Sequence, residues 1–234
     1  MIKRNIILFM IGASLVACSS HLNVLSSSGK IGLLENNSEK SSITTYIQPF
    51  KDSMNRAMGE VLAHASVNIE YTRPNGLLGN WTTDALLANQ TRNIRMSEPI
   101  FCLLNAGGLR SSIGQGNVTR GDLFRLMPFD NEIVWLRLPI SRLTDIQNYL
   151  IQSGGEPIAN ASLINGQFFI NGTTSETAYF WVITSDYLAN GGDHMDFFLK
   201  ADQRIDKHVL LRDVFIQECL LQKELIVSNE KRIQ

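Results

Sequence analysis

A short apolar run, Pro99 to Leu104, stops at Asn105 and is followed by Ala106-Gly107-Gly108-Leu109-Arg110. The run predicts a buried strand, and its abrupt end predicts a turn. Glycine lacks Cβ and tolerates positive φ, so this turn can bring backbone close to a ligand. A polar side chain at the strand end and an arginine just past the turn can both point into one crevice. Open α/β sheets place their ligands at the carboxyl ends of strands. Taken alone, the same pattern also reads as an ordinary strand-to-helix turn with a surface arginine. The corner gains a function only if other stretches supply partners for it.

The chain has 234 residues, enough to bury one sizeable core with room for an extra segment. Its 21 Lys and Arg nearly balance 22 Asp and Glu, and no basic stripe occurs, which argues against a nucleic-acid polymer as partner. The N-terminus reads as a targeting segment rather than as part of the fold. Lys3 and Arg4 precede an apolar stretch, Ile6 to Val16, too short for a comfortable membrane span. Leu15-Val16-Ala17-Cys18 then resembles the lipobox of bacterial lipoproteins. That resemblance implies a signal peptide over residues 1–17 and acylation of Cys18, with an ordinary secretory peptide or a retained anchor as the alternatives. Ser19 follows instead of an aspartate, which points to a lipid anchor in the outer membrane, facing the periplasm. Residues 18–42, rich in Ser and Asn, read as a flexible tether. Cys102 and Cys219 remain, and either a disulfide or two separately buried thiols fits them.

Beyond the tether, residues 43–225 form the expected domain. Ile43, Tyr46, Ile47, Phe50, Met54 and Ala57 fall at helical spacing, interrupted by Pro49 and Gly59, with a turn or strand near Val61. Asn80 is the expected N-cap of a helix whose Trp81, Ala85 and Leu86 or Leu87 face the core. Thr119 is expected to cap a second helix, and Ser141 a third that closes at Gly154-Gly155. Strands are expected over Glu132 to Leu138 and Ala178 to Thr184, and a hairpin at Asn165-Gly166. Val209 to Leu225 has helical periodicity and runs into a charged end. The fold class is α+β, with mixed strands and helices outside. His21, His64 and His194 read as bystanders rather than ligands.

Two strand-end loops, the opening corner and Ser185 to Asp193, share one grammar, with a third loop, Met127 to Asn131, between them. Arg73…Gly79-Asn80…Asp84-Ala85, Asn105 to Arg110, Pro128-Phe129-Asp130-Asn131 and Asp186-Tyr187-Leu188-Ala189-Asn190-Gly191-Gly192-Asp193 together resemble the C-terminal domain of 5'-nucleotidases and UDP-sugar hydrolases. The resemblance extends from about Ile43 to about Lys200 and implies a layered α/β domain with a mixed sheet. It also implies roles. Phe129 and Tyr187, the latter at a position often occupied by Phe, would clamp a nucleobase. Asp193 would accept hydrogen bonds from ribose hydroxyls, Asn105 would touch the base or sugar, and Arg110 would hold phosphate oxygens. Arg73 matches a further family arginine approximately, and Asn131 would shape the Phe129 loop.

The departure from that family concerns catalysis. Its hydrolytic half needs Asp-x-His, Gly-Asp and Gly-Asn-His-Asp/Glu signatures for two metals, and the sequence has none at that spacing. Gly-x-Ser-x-Gly and a Cys/His pairing are also missing. The sequence therefore implies no catalytic or metal-binding residue in this chain. It is expected to be the substrate-recognition half of a split 5'-nucleotidase-type hydrolase, inactive alone. A metallophosphoesterase subunit would be its partner and would carry the divalent metal pair. The alternative is a non-catalytic nucleotide- or nucleoside-binding lipoprotein.

Overall fold

The computed structural model describes residues 42–234. Residues 1–17, expected to be a signal peptide, Cys18 and nearly all of the expected tether lie outside the described residues. Contacts divide the chain into Met1–Thr45 and Tyr46–Gln234; the second unit carries the fold, and of the first only the start of one helix is described. Among the described residues no helix is long and apolar enough to cross a membrane.

A five-stranded sheet organises the domain. In chain order its strands are β2 (Ile100–Leu103), β4 (Glu132–Pro139), β5 (Ile158–Ala159), β8 (Tyr179–Ser185) and β9 (Gln203–Leu210), arranged in space as β5-β2-β8-β4-β9. Only β2 and β8 run parallel; the other neighbours are antiparallel, so the sheet is mixed as expected. Side chains alternate between its two faces. Cys102, Ile133, Trp135 and Ile183 join one buried cluster, whereas Phe101, Leu103, Val134, Leu136, Phe180 and Val182 join the other. Burial on both faces explains why β2, β4 and β8 read as mostly apolar runs, whereas the edge strand β9 is polar and largely exposed.

Each face is covered by its own layer. The first holds α2 (Leu77–Thr91), α6 (Leu211–Gln222) and the ladder of β1 (Val61–Ala65) with β3 (Gly116–Thr119). Trp81 and Phe215 meet there, with ring centroids 5.7 Å apart. The second layer holds α4 (Leu143–Ser153) and the hairpin of β6 (Ala161–Ile164) and β7 (Gln167–Ile170). That hairpin turns at Asn165 and Gly166, both at positive φ, as their sequence demands.

Local signals were good where a few residues settle the matter. Thr119 caps α3 (Arg120–Leu126) in a reciprocal capping box with Asp122. Cys102 and Cys219 are free and buried, and burial pushes both thiols up, Cys219 to about 12. Three expectations need correction. The first helix, α1 (Ser42–Met58), continues through Pro49, because proline removes one intrahelical bond and the neighbouring turns carry the helix on. Its Tyr46, Ile47, Phe50 and Met54 are exposed. The third helix is not capped by Ser141, which lies in a 3₁₀ turn, Ile140–Arg142, leading into α4. Asn80 is not an N-cap either: α2 starts after Gly76, and the buried Asn80 amide donates to the Ser228 and Glu230 carbonyls at 2.9 and 3.0 Å.

That last contact changes the reading of the charged C-terminus, which packs back onto the domain. Arg232 is buried, pairs with Asp84 at 2.8 Å and donates to the Ile158 carbonyl at 2.7 Å. Asn80 and Asp84, part of the motif that prompted the family resemblance, thus hold the tail in place.

Candidate functional site

The sheet register explains why distant loops meet. β2 and β8 run parallel, so the turns after both strands leave the same edge. β4 is antiparallel to β8, with Ile133 opposite Ser185, which brings the loop entering β4 to that edge as well. Leu210 at the end of β9 pairs with Glu132, so α6 also begins there. Three loops and a helix start converge on one rim.

They enclose a cavity of about 430 Å³ lined by Asn105, Gly107, Gly108, Arg110, Phe129, Asn131, Tyr187 and Asp193. Five residues singled out from the sequence, Asn105, Arg110, Phe129, Tyr187 and Asp193, thus lie together. Arg73 does not line this cavity. It donates to the Tyr71 hydroxyl at 2.9 Å, to the Ser153 carbonyl and to Glu156 at 2.7 Å. It borders a neighbouring open groove with Tyr149, Ser153 and His194, and that groove shares Tyr187 and Asp193 with the cavity. Asn131, expected only to shape a loop, faces the cavity.

The Asn105 corner is rigid for identifiable reasons. Asn105 follows β2, is buried, and its amide donates to Asp193 Oδ2 at 2.6 Å. A 3₁₀ turn, Ala106–Gly108, comes next. Gly108 is needed for proximity rather than for positive φ, since a Cβ there would sit 2.8 Å from Asn105 Oδ1. Behind the turn, Glu156 accepts from the Ala106 N–H at 2.6 Å while pairing with Arg73. Burial pushes the Glu156 carboxyl up from its usual value despite those two donors. Arg110 is exposed, and its guanidinium donates to the Gly107 carbonyl at 3.3 Å. No carboxylate pairs with it among the described residues, which leaves its remaining N–H donors directed to solvent or a ligand.

The two aromatic residues are fixed differently. Phe129 is 44% exposed on a loop held from behind by Arg212, the second residue of α6. The buried Arg212 guanidinium donates to the Met127 carbonyl at 3.1 Å and Asp130 at 2.6 Å, and lies over the Phe124 ring. Tyr187 is 46% exposed in α5 (Asp186–Ala189), and its hydroxyl donates to Asp193 Oδ1 at 2.8 Å. That bond to an anion pushes the Tyr187 phenol up from its usual value. Asp186 ties the two loops together, since its Oδ1 accepts from the Glu132 N–H at 3.2 Å and the Tyr187 N–H at 2.8 Å. Sequence reasoning missed Arg212, Glu156 and Asp186. Glu156 carried a signal, an acidic residue enclosed by Gly154-Gly155 and Pro157, and Asp186 stood inside a quoted loop motif, whereas Arg212 carried none.

Among the described residues no three His, Cys, Asp or Glu side chains stand close enough to hold a metal ion. His64 pairs with Glu224 and His208 with Glu132, each at 3.0 Å. The donor set does not fit a two-metal centre. What the cavity offers instead is two flat rings, a hydrogen-bonded carboxylate and a cation with free donors.

Residues 56–146 match the family model of the 5'-nucleotidase, C-terminal domain. The match takes in Asn105, Arg110 and Phe129 and stops short of Tyr187 and Asp193. Over 91 residues, 39% of the chain, the sequence is 31% identical to Endonuclease YhcR of Bacillus subtilis (strain 168), of which it spans 7%. The fold is shared with a 5'-nucleotidase precursor from Thermus thermophilus, at a TM-score of 0.63 and 22% identity over 83% of this chain and 42% of that one. It is also shared with the NAD nucleotidase of Haemophilus influenzae, at a TM-score of 0.60 and 16% identity over 81% and 40% of the two chains. The chain therefore spans about two fifths of the length of these solved structures.

Proposed function

We propose that this chain is the nucleotide-recognition half of a 5'-nucleotidase-type phosphohydrolase whose hydrolytic half is a separate metallophosphoesterase chain. The observation that carries the reading is the single cavity shared by Phe129, Tyr187, Asn105, Asp193 and Arg110. A nucleobase stacks between the two rings, which is worth ~1–3 kcal/mol per base and tolerates different bases. Ribose hydroxyls donate to Asp193, and the planar guanidinium of Arg110 takes phosphate oxygens. The family-model match over residues 56–146 supports this assignment.

The divalent metal pair used in such hydrolysis belongs, in this reading, to the partner. This chain binds and orients the nucleotide and presents its phosphate at the Arg110 end of the cavity. Cys18 carries the lipid that holds the assembly at the bacterial envelope, on the periplasmic side of the outer membrane. The test is phosphate release from nucleoside monophosphates with added divalent metal, measured for the purified chain and again with metallophosphoesterases recovered with it from native membranes. Activity is expected only in the combination. Robust hydrolysis by the purified chain overturns the split arrangement, and tight binding with no hydrolysis in any combination favours a non-catalytic receptor.

A further inference from the structure

The turn that carries Asp193 is unusual. Gly191, Asp193 and His194 all have positive φ, at 85°, 52° and 63°. Two of these are not glycine, a conformation uncommon outside glycine though Asp and His adopt it more readily than most, and side-chain contacts help to hold the turn. The Tyr187 ring packs against it so closely that a Cβ on Gly192 would lie 2.6 Å from the ring. Its hydroxyl also grips Asp193 at two points, accepting from the Asp193 N–H at 3.3 Å and donating to Oδ1 at 2.8 Å. Asn105 holds the other carboxylate oxygen at 2.6 Å.

A carboxylate has about four acceptor sites, two on each oxygen. Tyr187 and Asn105 each occupy one, on different oxygens. One site stays open on each oxygen, which is the arrangement that receives two hydroxyls on adjacent carbons. Without the Tyr187 hydroxyl, Asp193 keeps a single side-chain anchor and can rotate about it. We propose that the Tyr187 hydroxyl is a specificity-determining group that fixes the Asp193 carboxylate to read the vicinal hydroxyls of a ribonucleotide. The aromatic wall thereby takes part in sugar selection as well as in stacking. This proposal rests on the nucleotide reading of the cavity.

The test compares calorimetric affinities of the full chain and of Tyr187→Phe for adenosine 5'-monophosphate and its 2',3'-dideoxy analogue. Phenylalanine keeps the ring and removes only the hydroxyl. The ribo-to-dideoxy affinity ratio is expected to fall by about fivefold in the variant, the effect of losing one hydrogen bond's worth of positioning. An unchanged ratio overturns the proposal. So does a parallel loss of both ligands, which would mark the hydroxyl as a support for the turn alone. Wild-type protein that binds both ligands equally removes the sugar role of Asp193 and this proposal with it, while leaving the nucleotide reading intact. Wild-type protein that binds neither overturns both.

Discussion

The two aromatic walls of the cavity are of similar exposure but are built on opposite principles. Phe129 sits on a loop secured by Arg212, which donates to two carbonyls and Asp130 from beneath and does not line the cavity. Tyr187 is secured by Asp193, which is itself a cavity-lining group. One wall is therefore braced by structure and the other by function. Damage to the brace of the first should appear in stability as well as in binding. Damage to the second should appear mainly in which ligand is bound.

Arg212→Met is the strongest way to break this contrast. It leaves the Met127 and Phe129 carbonyls without their donor and Asp130 without its partner. A buried group left unsatisfied costs about 1–3 kcal/mol, so a loss of about 2–3 kcal/mol in urea unfolding is expected, together with weaker nucleotide binding. Weaker binding at unchanged stability would place Arg212 in the cavity rather than behind it. Phe129→Leu isolates the ring itself. Because Phe129 is half exposed, stability should hold, while nucleotide affinity measured by calorimetry falls by ~1–3 kcal/mol with little dependence on the base. A strong base preference in the loss would argue against stacking.

The same contrast explains what the sequence revealed. Asn105, Arg110, Phe129, Tyr187 and Asp193 were singled out through the family resemblance that their short loop motifs carry, and they line one cavity. Thr119 and Asn165-Gly166 were legible because their partners lie within a few residues. Arg212 was not, because its task depends on β9 delivering α6 to the rim, which is a matter of sheet register. Asn80 was misread because its residue type suits an N-cap, while its actual partner, Glu230, is 150 positions away. Arg73 was named through an approximate family match, and in the structure Glu156 and Tyr71 hold it beside the cavity. Long-range polar pairing is the part of a fold that local patterns encode least.

Glu156 sharpens the contrast through pH, since it braces the Asn105 wall by titratable chemistry. Burial raises its folded pKa above the usual 4.5. A carboxyl with a raised folded pKa binds its proton more tightly in the native state. Its contribution to stability is therefore fully present below 4.5 and is lost as pH rises through the folded value. Over about pH 4 to 7 the wild type should lose stability relative to Glu156→Gln, whose amide does not titrate. Denaturant titrations at several pH values measure this difference. Parallel curves would show that the Arg73 and Ala106 donors cancel the burial cost, making this wall insensitive to pH.

Arg73→Gln should have the smallest effect, and it decides which side of the contrast this residue belongs to. The Arg73 side chain is 43% exposed, and its partner Glu156 is 4% exposed. Arg73→Gln takes one donor from the buried Glu156, but the Ala106 N–H still donates to it, so a stability loss of about 1 kcal/mol is expected. Nucleotide affinity should barely move, because Arg73 does not line the stacking cavity and three of its N–H donors are held by Tyr71, Ser153 and Glu156. Arg110→Gln is the reference, since it removes the cavity-lining cation that has no carboxylate partner among the described residues. If Arg73→Gln weakens the binding of a nucleoside monophosphate as much as Arg110→Gln does, and leaves the nucleoside unaffected, Arg73 must leave Glu156 to meet the phosphate. The brace behind the Asn105 wall would then itself be part of the ligand site, and the separation between structural and functional walls would hold only for Phe129.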